Sequence, residues 1–241
     1  NFINCLNESG VDAHVAKISD QRSGECLVLI TPDNERTMNT FLGSSSLLSE
    51  NDISKESIKD SHYLLIEGYL VTSEATLNVG IAAINMAHEN NIKTVITLSD
   101  PNIVSYFRDN MMKLFSKKSH IIFCNEQEAL NFSQADNLKD AEAFLKEITD
   151  MYIITLGSKG AICSDGTSNH KILGHQVESK DFTGAGDMFL GAFMHKYADN
   201  NILESMEFAN YCASKIIQIY GAKFNNSSDY KELQTKFKSL T

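Results

Sequence analysis

The sequence predicts a three-layer α/β/α domain with a mainly parallel central sheet and a small β lid, covering residues 1–241 as one unit. Four short apolar runs, Tyr63 to Ile66, Thr94 to Thr97, His120 to Phe123 and Tyr152 to Thr155, carry the nearly continuous hydrophobicity of strands buried on both faces. Between them lie helical patterns, with Leu77, Ile81 and Ile84 ahead of Asn90-Asn91, and Ala141, Phe144, Leu145 and Ile148 ahead of Asp150. Alternating strand and helix imply parallel strands covered by helices, with ligands at the carboxyl ends of the strands. The first sixty residues read differently. Gly24 to Thr31 and Arg36 to Leu42 are extended segments on either side of the turn-forming Pro32-Asp33-Asn34, which suggests a β lid over approximately 22–45. The last well-patterned helix places Leu203, Met206, Ala209, Ala213, Ile216, Ile217 and Tyr220 on one face and stops at Gly221. Beyond it, the polar stretch from Phe224 to Thr241 reads as a surface helix or tail.

A chain of 241 residues with 42% hydrophobic residues is long enough for one large buried core. Its 21 basic and 31 acidic residues give a formal charge of −10, which argues against nucleic acid or an anionic membrane as partner and for a small molecule. Cys5, Cys26, Cys124, Cys163 and Cys212 are odd in number and scattered, without a C-x-x-C pair, so neither a disulfide framework nor a zinc knuckle is expected. No apolar run approaches the roughly 20 residues that span a bilayer. A reducing, cytoplasmic setting is the expectation.

Chemistry concentrates in Asp181-Phe182-Thr183-Gly184-Ala185-Gly186-Asp187, which runs directly into an amphipathic helix. Glycines in such a turn let successive backbone N–H groups converge, and the unpaired donors of the helix N-terminus add partial positive charge at the same place. An anion belongs there. Asp187 falls in or just before the first helical turn. Beside a transferring phosphoryl group it would accept a proton from the attacking hydroxyl, a role worth about 100- to 10,000-fold in rate; as a plain cap it would only satisfy the helix end. Spacing alone leaves both roles open.

The run Asp-x-Thr-Gly-Ala-Gly-Asp-x-Phe followed by Gly-Ala-Phe resembles the C-terminal signature of the ribokinase-like (PfkB) carbohydrate and nucleoside kinases. The likeness continues elsewhere. Asn125-Glu126-Gln127-Glu128 matches the family's Asn-x-x-Glu motif. Thr155-Leu156-Gly157-Ser158-Lys159-Gly160 is similar to its strand-to-loop segment along the nucleotide, and Ala209-Asn210-Tyr211-Cys212-Ala213 is similar to the helix lining its adenine pocket. The resemblance implies that Asp187 is the catalytic base and that Gly184, Ala185 and Gly186 form an anion hole. It further implies that Asp181 and Thr183 help bind a monovalent cation such as K⁺, and that Asn125 and Glu128 act on Mg²⁺ largely through water. Thr155, Gly157, Gly160, Asn210 and Ala213 would then border ATP. Phe182 stands where the family commonly has Thr, and no Walker-type G-x-x-x-x-G-K-[ST] run is present.

For the acceptor, Arg36 to Gly43, Glu67-Gly68-Tyr69-Leu70 and Ser99-Asp100-Pro101 look most like the adenosine-kinase-like branch. That branch makes Arg36 a charge clamp on transferring phosphate and favours a nucleoside acceptor; a ribokinase- or fructokinase-like sugar kinase and a nucleotide-binding homologue without turnover are the alternatives. The lid fits either a homodimer contact or a cover for the acceptor. The family's N-terminal strand with an acceptor-binding Asp, and its Gly-Gly-x-x-x-Asn segment, have no counterpart here, so the likeness covers two-thirds to three-quarters of a usual member.

Other signals carry less. His88-Glu89 has no second His at zincin spacing, and both are read as surface residues. His170, His175 and His195 are dispersed. Cys124 is read as a buried strand-end residue, Asp100 as facing the cleft or capping the next helix, and Phe41 as core or as a stacking platform, core being favoured.

Overall fold

The computed structural model describes residues 2–15, 20–31, 36–197 and 201–238, with the side chains of residues 2, 30 and 36 excepted. In chain order the elements are α1 (Phe2–Glu8), β1 (Glu25–Ile30), β2 (Arg36–Phe41), α2 (Lys55–Lys59), β3 (Tyr63–Glu67), α3 (Glu74–Glu89), β4 (Lys93–Thr97), α4 (Pro101–Tyr106), α5 (Arg108–Leu114) and β5 (Ser119–Asn125). They continue with α6 (Glu126–Ser133), α7 (Leu138–Ile148), β6 (Thr149–Thr155), β7 (Ala161–Ser164), β8 (Asn169–Ile172), α8 (Ala185–Tyr197), α9 (Ile202–Ile216) and α10 (Ser227–Lys238).

Six strands form one sheet in the order β3-β4-β5-β6-β7-β8. The first four are parallel, with Leu65 level with Val95 and Val95 level with Ile121, while β7 and β8 add antiparallel. Because side chains alternate along a strand, one set faces each layer. Ile66, Ile96, Ile122, Tyr152 and Ile154 pack under α3 to α7, while Val95, Ile121, Phe123, Met151 and Ile153 pack under α8, α9 and α10. The three-layer expectation is met, and all four strands read from apolar runs are present. A separate antiparallel pair, β1 with β2, occupies the segment read as a lid.

The structure differs from the sequence reading in several places. Pro32-Asp33-Asn34 lies outside the described residues. The β7-β8 hairpin was not anticipated; its signal is Asp165-Gly166, where Asp165 Oδ1 accepts from the N–H groups of Thr167 and Ser168. Helix α9 ends at Ile216 and leaves Tyr220 exposed, because Asp181 draws the following residues into the site described below. The polar C-terminal stretch is docked: α10 buries Leu233 and Phe237, the latter 5.2 Å from Phe208 and 5.8 Å from Tyr211 between ring centroids. His88 is half-buried, with Nε2 shielded and unpartnered, so only Glu89 of that pair is a surface residue. Phe41 is 55% exposed, which removes it from the core. Cys124 is buried, and Asp100 caps α4 through Asn102 N–H at 2.7 Å.

Candidate active site

The parallel strands deliver their carboxyl ends, and the loops that follow, to one edge of the sheet. Glu67-Gly68 follows β3, Ser99-Asp100 follows β4, Asn125 closes β5, and Thr155 to Gly160 follows β6.

The turn before α8 is fixed by a buried carboxylate. Asp181 is 1% exposed; its Oδ1 accepts from Thr183 N–H and its Oδ2 from Gly221 N–H, each at 2.8 Å. Lys180 N–H and Asp181 N–H both donate to the Ile217 carbonyl. One acidic side chain thus ties the start of α8 to the end of α9, and the charge it carries is met by backbone donors. Gly184 has φ +79°, and a Cβ there would stand 2.8 Å from Ala222 Cα, so two requirements select glycine. Helix α8 then begins. Ala185 N–H bonds the Phe182 carbonyl and Met188 N–H the Gly184 carbonyl, while Gly186 and Asp187 N–H find no acceptor among the described residues. Both residues are exposed, and nothing would meet a Cβ at Gly186 within 4 Å. The result is an open mouth of unpaired donors at the positive end of a thirteen-residue helix. The apolar face of α8 holds that mouth in place, with Phe189 and Phe193 buried and Phe193 edge-on to Phe123 at 5.3 Å.

Asn125 and Glu128 form a reciprocal cap at the start of α6. Glu128 N–H donates to Asn125 Oδ1 at 2.8 Å, Asn125 N–H to Glu128 Oε2 at 2.9 Å, and Asn125 Nδ2 to Glu128 Oε1 at 2.8 Å. Glu128 is buried and both its oxygens are occupied. On the other side of β6, Thr155 reaches the Cys124 carbonyl at 3.5 Å, and the Gly157 to Gly160 turn is closed by Gly160 N–H to the Gly157 carbonyl at 3.1 Å. Asn210 on α9 donates to the Leu173 carbonyl at 2.8 Å, and Ala213 lies one turn further along that helix. Leu173 itself is 80% exposed, an apolar platform beside the loop.

The groups thus sort into two sets. Asp181, Thr183, Gly184, Ala185, Gly186 and Asp187 share one turn, while Asn125, Glu128, Thr155, Gly157, Gly160, Asn210 and Ala213 occupy neighbouring strand ends and α9. Arg36 opens β2, and its side chain lies outside the described residues. A cavity of about 460 Å³ also opens beside Asp187, lined by Met188, Gly191, His195, Phe208 and Leu233; Thr155, Gly157 and Gly160 do not border it.

Sequence reasoning missed the role of one residue. Glu67, the last residue of β3, has its carboxyl pKa raised, first by partial burial and second by the negative charge of Asp187. The available signal was a charged residue ending a strand whose other members are apolar, at the edge where ligands bind.

The model of the pfkB family carbohydrate kinases matches residues 1–229. The chain belongs to the pfkB carbohydrate kinase family. Among its relatives are the ribokinase of Staphylococcus aureus, 22% identical over 88% of this chain and 69% of that protein, and the ribokinase of Haemophilus influenzae, 27% identical over 91% of this chain and 71% of that protein. The adenosine kinase structure from Sinorhizobium meliloti superposes with a TM-score of 0.83 at 26% identity, covering 90% of this chain and 66% of that one. This pfkB chain therefore spans about two-thirds to seven-tenths of the length of these relatives.

Proposed function

We propose that this pfkB-family chain carries out phosphoryl transfer from ATP to a hydroxymethyl oxygen of a small nucleoside, adenosine being the favoured acceptor. The observation that carries the reading is the open donor mouth of α8 with the Asp187 carboxylate on its rim. Asp187 takes the proton of the acceptor hydroxyl as that oxygen bonds to the γ-phosphorus and the bond to the β-bridging oxygen breaks, releasing ADP. Gly186 and Asp187 N–H groups, with the helix end behind them, stabilise negative charge developing on the phosphoryl oxygens. Arg36, from the lid, adds a cationic clamp.

The donor chemistry suits the ions this family uses. Thr183 Oγ1 is buried without a hydrogen-bond partner beside the Asp181 carboxylate, an oxygen pair suited to a monovalent cation such as K⁺. Glu128 has both oxygens engaged by Asn125, which suits contact with hydrated Mg²⁺ through water. When bound, Mg²⁺ neutralises charge between the β- and γ-phosphates. Thr155, Gly157, Gly160, Asn210 and Ala213 border the nucleotide, with Leu173 offering an apolar face to the base.

Adenosine is favoured by the Arg36 to Gly43 and Glu67 to Leu70 segments and by the adenosine kinase likeness. A sugar acceptor is the second reading, supported by the ribokinase relatives. The deciding experiment follows ADP release from ATP and Mg²⁺, with and without K⁺, across adenosine, other nucleosides, ribose and fructose. Adenosine-dependent turnover is expected. Turnover only with ribose or fructose would replace the acceptor, and ATP binding without turnover would replace the enzyme by a nucleotide-binding homologue.

A further inference from the structure

The cavity of about 460 Å³ beside Asp187 falls in the size range of small-molecule sites. One stripe of α8 lines it: Asp187, Met188, Gly191 and His195 recur at helical spacing and run about 12 Å along the helix axis. Phe208 and Cys212 of α9 and Leu233 of α10 form the facing walls, and all three are buried members of the packed core, so the slot is preformed. Gly191 is its open point. Nothing would meet a Cβ there within 4 Å, although the residue sits inside a helix, where glycine is unfavourable. Polar groups mark the two ends of the stripe, Asp187 at one and His195, in contact with Gln234 Nε2, at the other. The remaining polar residues of the lining, Tyr230 and Lys231, are exposed on α10.

Helix α9 separates this slot from the nucleotide loops. Phe208 and Cys212 share the face that lines it, whereas Asn210, about 200° from each around the helix axis, donates to the Leu173 carbonyl. Thr155, Gly157 and Gly160 do not border the slot. In an in-line transfer the attacking and leaving oxygens stand on opposite sides of the phosphorus. With ATP along the nucleotide loops and Asp187 taking the proton, the acceptor arrives from the other side of Asp187, where the slot opens. We propose that the slot between α8, α9 and α10 is the acceptor subsite and that it takes the base of a nucleoside, with the hydroxymethyl group at Asp187. A free sugar carries hydroxyls around its whole ring and would lose their hydration against Met188, Phe208 and Leu233 without replacement. A base has two apolar faces and one polar edge, and a glutamine carboxamide such as that of Gln234 offers the donor and acceptor that match the N6 and N7 positions of adenine. The assignment rests on the phosphotransfer reading of Asp187; the slot itself does not.

The test fills the slot from Gly191. KM for adenosine and for ATP, and adenosine affinity by titration calorimetry, are compared in wild type, Gly191→Ala and Gly191→Leu. Either side chain favours the helix over glycine, so a melting temperature at or above that of wild type shows that the variant is folded, and the alanine variant keeps the test open if leucine is not accommodated. Adenosine KM should rise with side-chain size, by at least about tenfold for leucine, while ATP KM stays within about twofold. An unchanged adenosine KM in the folded variants, or an equal rise for ATP, overturns the proposal, and so does turnover of ribose or fructose alone by wild type. If wild type turns over no acceptor, the phosphotransfer reading fails and calorimetry decides the slot. Adenosine bound by wild type and at least about tenfold more weakly by Gly191→Leu supports it; adenosine bound equally by both, or by neither, overturns it.

Discussion

The raised carboxyl pKa of Glu67, caused first by burial and second by the negative charge of Asp187, has a consequence for stability of definite sign. Folded protein holds the Glu67 proton more tightly than the unfolded chain, so the associated stability is complete below the ordinary value of 4.5 and is lost as pH rises through the raised folded value. Glu67→Gln should therefore melt at a higher temperature than wild type at pH 7.5, with the difference shrinking below pH 4.5; equal melting temperatures at both would contradict the raised carboxyl pKa. At Gly186 the proposed phosphate site needs the open space that the structure leaves there. Gly186→Val places branched carbons where phosphate oxygens approach, and kcat/KM for ATP should fall by about 100-fold, with circular dichroism and melting showing that the fold persists. Asp181 to Asp187 was legible in the sequence because its geometry is local: a turn, a helix start and an acidic residue at fixed offsets. Glu67 was not, because the shift of its carboxyl depends on burial in the folded protein and on the charge of Asp187, more than a hundred residues later.

Among the elements, β4 and β5 carry a pH-sensitive contact at the opposite edge of the sheet. Thr94 N–H donates to His120 Nδ1 at 3.0 Å, so the neutral ring keeps its hydrogen on Nε2. His88 lies 5.8 Å away ring to ring. Burial lowers the pKa of His120, Asp150 opposes this, and His88 and Lys93 reinforce it; burial and then Lys117 lower His88. The stability from these neutral rings is present above the unfolded value of 6.5 and is lost as pH falls through the lowered folded values. Asn at position 120 can present Oδ1 to the same N–H without titrating, so His120→Asn should flatten the melting-temperature profile between pH 7.5 and 5. A profile as steep as wild type would place the acid sensitivity elsewhere. Helix α8 depends on packing, and Phe193→Ala should cost about 3–5 kcal/mol in denaturant unfolding. A loss under 1 kcal/mol would mean that Phe193 does not anchor the helix that presents Asp187. The strands were readable from nearly continuous apolar runs, whereas the docking of α10 was not: Leu233 and Phe237 are apolar residues in a polar run, and Phe237 meets Phe208 and Tyr211 only in the folded protein.

At the scale of the whole molecule, the parallel order of β3 to β6 is what gathers residues so distant in sequence at one edge. That order follows from strand and helix alternation, which is why the fold class and the ligand edge could be inferred before any geometry. Substrate choice is less accessible, since the ribokinase and adenosine kinase likenesses pull in different directions at 22–27% identity. The central claim is narrower: the fold directs an open helix N-terminus at phosphate and places Asp187 there as a base. Its most direct test measures ATP affinity and kcat on one preparation of Asp187→Asn, a change that keeps side-chain shape and removes basicity. The account predicts ATP binding within a few-fold of wild type and a kcat at least about 100-fold lower; an unchanged kcat would contradict it.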